Sequence, residues 1–159
     1  MVFITLGSQK FQFNRLLKAV DELIENGVLT DGVFAQTGYS DYQPRNYKFK
    51  QFLDREEFAK YEAEAEIVIT HGGTGAIIGA VKKGKKVIAV PRLSKYGEHV
   101  DDHQLQIIEQ FKNQNLICGL DDCNQLIDGL AYVKNHEFST YNSNTSTIIA
   151  SIEEYIATI

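Results

Sequence analysis

Cysteine is scarce in this chain, long apolar runs are missing, and positive charge is in the minority. The two cysteines among 159 residues, Cys118 and Cys123, are not spaced as CxxC, and no other Cys or His pair completes a metal site with them. A zinc module is excluded on that count, and so few cysteines fit a reducing compartment. No apolar stretch approaches the ~20 residues of a membrane helix, so any membrane attachment is expected to come through a partner. Met1 leads directly into a strand-like segment, so no signal peptide is expected. Lys and Arg number 16 against 21 Asp and Glu, a formal net charge of −5. A general electrostatic grip on nucleic acid needs a basic face, and none is expected. The one basic run, Lys82, Lys83, Lys85 and Lys86, reads as a solvated helix end and turn. Internal repeats and low-complexity segments are also absent.

What is present is an alternation of strand-like and helix-like segments in a chain long enough to bury a core without staples. "VFITL" (2–6) reads as a buried strand that ends at Gly7-Ser8-Gln9. Phe13, Leu16, Leu17, Val20, Leu23 and Ile24 fall at helical spacings over 13–26, with Gly27 as the stop. "GVFAQT" (32–37) reads as a second strand closed by Gly38, and the alternating "YKFKQF" (47–52) as a third, more exposed one. Asp54 can cap a helix to about Glu64. "EIVIT" (66–70) is a fourth strand, and a helix follows it to about Lys83 with Gly84 as its end. "KVIAVP" (86–91) and "NLICGL" (115–120) complete six strands. A helix over about 100–112 lies between them, and Asp121 or Asp122 caps another. Apolar strand runs separated by helices imply a parallel sheet covered on both faces. One α/β, Rossmann-like domain is expected over residues 1–159. A terminal helix over about 144–158 carries an apolar stripe of Ile148, Ile149, Ile152, Tyr155, Ile156 and Ile159, which either packs on its own domain or docks a partner.

The chemistry concentrates in "ITHGGTGAIIGA" (69–80). In an open α/β sheet, ligands sit beyond the carboxyl ends of the strands where strand order reverses. The loops after strands one and four, "GSQK" (7–10) and "HGGTG" (71–75), would flank that point. A helix N-terminus there offers free N–H groups and partial positive charge, and glycines admit a phosphate close to the backbone. Thr74 can add a hydroxyl, and His71 a hydrogen bond to a phosphate or departing anion. Close strand–helix packing is the steric alternative for the same glycines. The pattern is neither a P-loop nor GxGxxG after the first strand, which disfavours NAD and FAD. A second polar cluster, "PRLSKYGEHVDDHQLQ" (91–106), gathers Arg92, Glu98, His99, Asp101, Asp102, His103 and Gln104. Asp102 and Gln104 suit sugar hydroxyls. A capped helix start is the plain alternative, and the adjacent Asp101 and Asp102 read as caps before they read as a metal site.

In order, spacing and length, nearly the whole chain resembles the donor-binding C-terminal domain of the GT-B glycosyltransferases. Within that group it is similar to the small catalytic subunit of split lipid-linked N-acetylglucosaminyltransferases. It is also similar to bacterial capsule and exopolysaccharide β-1,4-galactosyltransferases. The resemblance implies half of a GT-B architecture. It places Gly7, Ser8 and Gln9 near the diphosphate and acceptor, and matches Gln36 and Gly38 to a "Q-[ST]-G" stretch. It also sets Phe52 and Leu53 where backbone reads uracil and Gly72, Gly73, Thr74 and Gly75 at the diphosphate. His71 is the candidate catalytic residue, and Asp102, His103 and Gln104 match the stretch that contacts the donor sugar. The resemblance implies a UDP-sugar as substrate, galactose first, with no metal and no other cofactor. It departs at Gly79, where many relatives hold the ribose with a glutamate.

A GT-B cleft closes between two such domains, and this chain has length for one. The implied partner is a membrane-anchored acceptor-binding subunit that presents a lipid-linked saccharide. The chain is then expected to be cytoplasmic and recruited to the inner face of the membrane. A lone domain with an apolar docking face is also expected to self-associate. The rival expectations are a non-catalytic nucleotide-sugar-binding or stabilising subunit, and an unrelated Rossmann-like regulator that prefers adenine nucleotides.

Overall fold

Short β-branched and aromatic runs build the sheet of the computed structural model, which describes residues 1–140. The strands are β1 (Val2–Thr5), β2 (Val33–Gln36), β3 (Lys48–Lys50), β4 (Ile67–Thr70), β5 (Lys86–Ala89) and β6 (Cys118–Gly119). The helices are α1 (Asn14–Glu25), α2 (Arg55–Glu64), α3 (Thr74–Lys82), α4 (His103–Asn113) and α5 (Leu126–Asn135). The strands pair in the order β3-β2-β1-β4-β5-β6, and every pair is parallel. This is the doubly wound order, with its reversal between β1 and β4. The expected apolar stripe of residues 148–159 lies outside the described residues.

Alternation along the strands makes two cores. Val2, Ile4, Ile67, Ile69 and Ile88 face α1 and α5, where Leu16, Leu17, Val20, Leu126, Leu130 and Val133 meet them. Phe3, Val68, Val87 and Ala89 face the other way, toward Ile77, Ala80 and Val81 of α3 and Ile107, Ile108 and Phe111 of α4. Phe58 and Tyr61 bring α2 onto that face, Tyr61 stacking on Phe34 at 3.9 Å between ring centroids. Helices of 9 to 12 residues are marginal by themselves, so burial of these side chains at about 1.5–3 kcal/mol each holds them in place.

Several signals fall where the sequence puts them. The Asp54 carboxylate accepts the Glu57 N–H at 2.8 Å and starts α2. Gly27 and Gly84 take left-handed φ values of 72° and 71° just beyond α1 and α3. The third strand is exposed at the sheet edge, but shortened to three residues. Two boundaries differ from expectation. Helix α4 begins at His103 rather than near Val100, because Val100 to Asp102 turn back toward the 94–97 segment. The sixth strand keeps two residues, since only Ile88 and Ala89 offer it a ladder.

The crossover from β2 to β3 contains no helix. Residues 37–47 are held by one buried carboxylate instead: Asp21 accepts from the Tyr42 hydroxyl (2.6 Å) and the N–H groups of Arg45 and Asn46 (2.9 Å each). Burial pushes the Asp21 carboxyl up, but these donors outweigh it and hold it below the usual carboxylate range. The Ser40 hydroxyl then accepts the Phe13 N–H at 2.8 Å, which ties this loop to the start of α1 beside the β1 exit.

Candidate functional site

Four loops leave the carboxyl ends of β1, β2, β4 and β5 and meet around His71. The ring is 4% exposed, although it follows directly after β4. A Cβ on Gly7 would lie 2.7 Å from His71 Nε2, and one on Gly73 2.2 Å from its Cε1. The imidazole thus occupies room that only glycine leaves, between the exits of β1 and β4. Gly7 also has a φ of 72°, which an L side chain resists. A Cβ on Gly72 would strike Gln104 Cβ at 2.5 Å, whereas among the described residues one on Gly75 or Gly79 would meet nothing within 4 Å. Both readings of the glycine stretch therefore have a place. Gly72 and Gly73 answer to packing, and Gly75 leaves the first turn of α3 open. Gly73 is the N-cap and offers no side-chain cap, so the first N–H groups of α3 lack that partner.

Beneath the turn, Gln104 joins β4 to β5. Its Oε1 accepts the N–H groups of Gly72 and Arg92, each at 3.0 Å, and its Nε2 lies 3.3 Å from His71 Nδ1. Arg92 is 1% exposed. Its Nη2 donates to the carbonyls of Leu6 (2.8 Å) and Phe11 (3.2 Å), and its Nη1 lies 3.2 Å from His71 Nδ1. Burial, then the charges of Arg92 and His99, push the His71 imidazole down to about 3, so the ring is neutral at physiological pH. Burial also brings the Arg92 guanidinium down to about 10, which leaves it charged. Arg15 clamps the same loop from α1: its Nε and Nη2 each reach Glu98 at 3.0 Å, and Glu98 accepts the Leu93 N–H.

The other expected site residues divide into rim and support. Ser8 and Gln9 are exposed on the β1 loop, and Thr74 is half-buried at the start of α3. Gly38 packs against Gly7, its Cβ position 3.0 Å from the Gly7 carbonyl. Gln36 is buried and accepts the Leu53 N–H at 3.1 Å, so that amide is already engaged. Phe52 is half-exposed and meets Tyr39 edge-on at 5.2 Å. Asp102, His103 and Gln104 do not act as one surface. Asp102 is exposed and accepts the Ser94 N–H at 2.8 Å, His103 leans on Asp101 at 3.4 Å, and Gln104 is buried with both ends of its amide engaged. The buried Gln104 is thus placed under the site and not in contact with its open side.

Arg92 and Arg15 are the residues that sequence reasoning left without a role. Arg92 carried a signal, since it comes just three residues after the buried strand β5, at a carboxyl end. Arg15 carried none, because it reads as an ordinary polar position of an amphipathic helix. Among the described residues no group of three or more His, Cys, Asp or Glu is arranged to hold a metal ion. Among them, too, no helix is long and apolar enough to cross a membrane.

A glycine turn and a buried histidine at the reversal of a doubly wound sheet occur in many folds, so comparison with known proteins decides the family. The model of the glycosyltransferase family 28 C-terminal domain matches residues 1–154. The chain belongs to that family. Two similar proteins are each a UDP-N-acetylglucosamine transferase subunit ALG13. The one from Candida glabrata is 31% identical over 83 residues, 52% of this chain and 40% of the relative. The one from Kluyveromyces lactis is 28% identical over 92 residues, 55% of this chain and 45% of the relative. The match therefore spans less than half the length of these relatives. Among solved structures, the kitacinnamycin glycotransferase superimposes with a TM-score of 0.62 at 14% identity, over 96% of this chain and 38% of its own. SnogD from Streptomyces nogalater gives 0.61 at 13%, over 98% and 39%. MurG from Acinetobacter baumannii gives 0.53 at 19%, over 95% and 49%. At such identities these show the fold alone: this family 28 domain has the Rossmann-like fold of one half of a GT-B glycosyltransferase.

Proposed function

We propose that this chain is the donor-binding, catalytic subunit of a two-component inverting glycosyltransferase. It would move a sugar from a UDP-sugar to a polyprenyl-diphosphate-linked saccharide. The observation that carries the reading is the pairing, at the strand-order reversal, of an open helix N-terminus with the ring of His71. The first N–H groups of α3 and its dipole suit a diphosphate and stabilise the charge that develops on it as the bond to the sugar breaks. His71, neutral and buried, donates a hydrogen bond to the same group. Ser8, Gln9 and Thr74 form the rim, and Gln36 braces the 52–53 segment for the base. Asp102 and His103 would contact the donor sugar. The UDP-sugar enters as a substrate, and backbone groups supply what a metal otherwise would. The acceptor hydroxyl needs a general base, which the reading assigns to the partner.

Family membership, and relatives named as subunits of a transferase, support a separate acceptor-binding partner. That partner anchors in the membrane and recruits this cytoplasmic chain to its inner face. The capsule and exopolysaccharide resemblance puts galactose first as the sugar, whereas the relatives' names favour N-acetylglucosamine. Assays therefore take both UDP-sugars. The test combines the chain with membranes that hold its partner and a polyprenyl-diphosphate saccharide, and follows transfer of labelled sugar. Transfer that His71→Ala abolishes supports the reading. Transfer that it leaves untouched rejects a role for this site. A second reading, a subunit that binds the nucleotide without turnover, is favoured by Gly79, which leaves open space where a ribose-binding glutamate is expected. Binding of UDP with no transfer of either sugar would support it.

A further inference from the structure

Two donors converge on one ring nitrogen of His71, and their chemistry fixes where the ring carries its proton. The atom of the Gln104 amide that faces the N–H groups of Gly72 and Arg92 must accept, so it is the oxygen. The other end is then the NH2, 3.3 Å from His71 Nδ1, and it can only donate. The Arg92 guanidinium, 3.2 Å from the same Nδ1, can only donate as well. Nδ1 therefore holds the lone pair, and the neutral ring carries its proton on Nε2. Among the described residues Nε2 has no hydrogen-bond partner. It lies against Gly7 and Gly73, in the room that their missing side chains leave.

We propose that Arg92 and Gln104 are positioning residues that hold His71 as an outward N–H donor to the diphosphate of the nucleotide. The ligand rests on the function proposed above, and the tautomer rests on geometry alone. One consequence is chemical: the only lone pair of His71 points inward and is occupied, so His71 does not serve as the general base. The setting of Arg92 supports a role beyond stability. Among the described residues its Nε is buried without a hydrogen-bond partner. Glu98, the carboxylate that acts on it electrostatically, is bound by Arg15 and the Leu93 N–H. A buried cation without a carboxylate of its own is a poor stabiliser, and an apolar side chain often serves as well. The ionisable groups that act on the ring are Arg92 after β5 and His99 ahead of α4. Among the described residues no carboxylate hydrogen-bonds it.

The test uses the whole chain labelled with 15N-histidine. In the unmutated protein the His71 ring is expected to show a bare Nδ1 and a protonated Nε2 from about pH 5 to about pH 8. A proton on Nδ1, or a ring that titrates like free imidazole, overturns the proposal. Gln104→Glu then moves the proton: one oxygen still serves Gly72 and Arg92, while the second draws the ring proton to Nδ1. UDP affinity, read by calorimetry against the unmutated chain at the same pH, is expected to fall about tenfold near pH 8. The gap closes toward about pH 5, as the ring protonates and regains its Nε2–H. Arg92→Lys keeps a donor and the original proton position, whereas Arg92→Met frees Nδ1. A purely structural role lowers melting temperatures but leaves the proton position and the pH dependence of the gap unmoved, which overturns the proposal. The unmutated ring needs no variant to fold. If its Nδ1 is bare but the chain takes up no UDP with or without its partner, the proposed function fails and takes the ligand with it. A protonated Nδ1 in a chain that does bind UDP overturns the positioning role alone.

Discussion

The two ends of the sheet both carry concentrated polar residues, and they use them in opposite ways. At the amino ends, three lysines of the 82–86 run meet ordinary partners. Lys83 pairs with Glu62 at 2.7 Å, Lys85 donates to the Ala63 carbonyl at 2.9 Å, and Lys86 donates to that of Val133 at 2.6 Å. Acceptors at the carboxyl ends of α2 and α5 attract cations for general reasons, so these three contacts need no ligand to explain them. At the carboxyl ends, His71, Arg92, Glu98 and Gln104 are each less than 5% exposed and are gathered from two separate stretches of chain. Burying such groups is costly unless they are bonded, and among the described residues one ring nitrogen of His71 is still left without a hydrogen bond. The dense charge run is thus scaffold, and the dispersed polar residues are the candidate site.

Substitutions can break this contrast, and the largest effect is expected at Gly73. Gly73→Ala drives a Cβ into His71, which should destabilise the chain by about 1–3 kcal/mol and weaken UDP binding about tenfold. Chemical denaturation and calorimetry read both, and unchanged values would place the ring elsewhere. Next comes acid sensitivity. The unfolded His71 protonates near its ordinary value of 6.5 and the folded ring only near 3. Because the unfolded chain binds the extra proton, stability conferred by the neutral ring is complete above the upper value and lost as pH falls through that window. His71→Asn should flatten the slope of melting temperature over that range, and a slope unaltered by the change would mean that another group causes it.

A smaller and oppositely signed effect is expected at Gly75. Its surroundings are open and its φ is not left-handed, so Gly75→Ala should raise stability by up to about 1 kcal/mol through helix propensity. If phosphate approaches that turn, the same change weakens UDP binding. Stability and affinity that rise together would move the diphosphate away from α3. The smallest effect is expected at the opposite end of the sheet. Lys85→Ala should cost less than about 1 kcal/mol and leave UDP binding unaltered. A loss of UDP affinity there would erase the distinction between the two ends.

The elements of the fold were legible because their signals are local. Apolar runs, Asp54 and the stops at Gly27 and Gly84 each act within one or two turns of chain. The start of α4 was not, because Asp102 bonds back to Ser94 instead of capping the helix it precedes. Of the candidate site, the glycine turn and His71 stood out, but their supports did not. Gln104 bonds Gly72 across 32 residues, and Arg92 bonds Leu6 across 86. Separations of that size follow from strand order, which brings β1, β4 and β5 side by side, and no spacing rule along the chain contains it. The sequence suggests Gln104 as a sugar contact, whereas its amide is turned inward because Gly72 offers it room and an N–H.

The central claim is that the reversal between β1 and β4 forms a uridine-diphosphate site. The most direct measurement is calorimetric titration of the chain, alone and then with its partner, with UDP, ADP and NAD in turn. The account predicts heat of binding for UDP, weakened by His71→Ala, and none of comparable affinity for ADP or NAD. Preference for ADP or NAD, or silence with all three even when the partner is present, would contradict it.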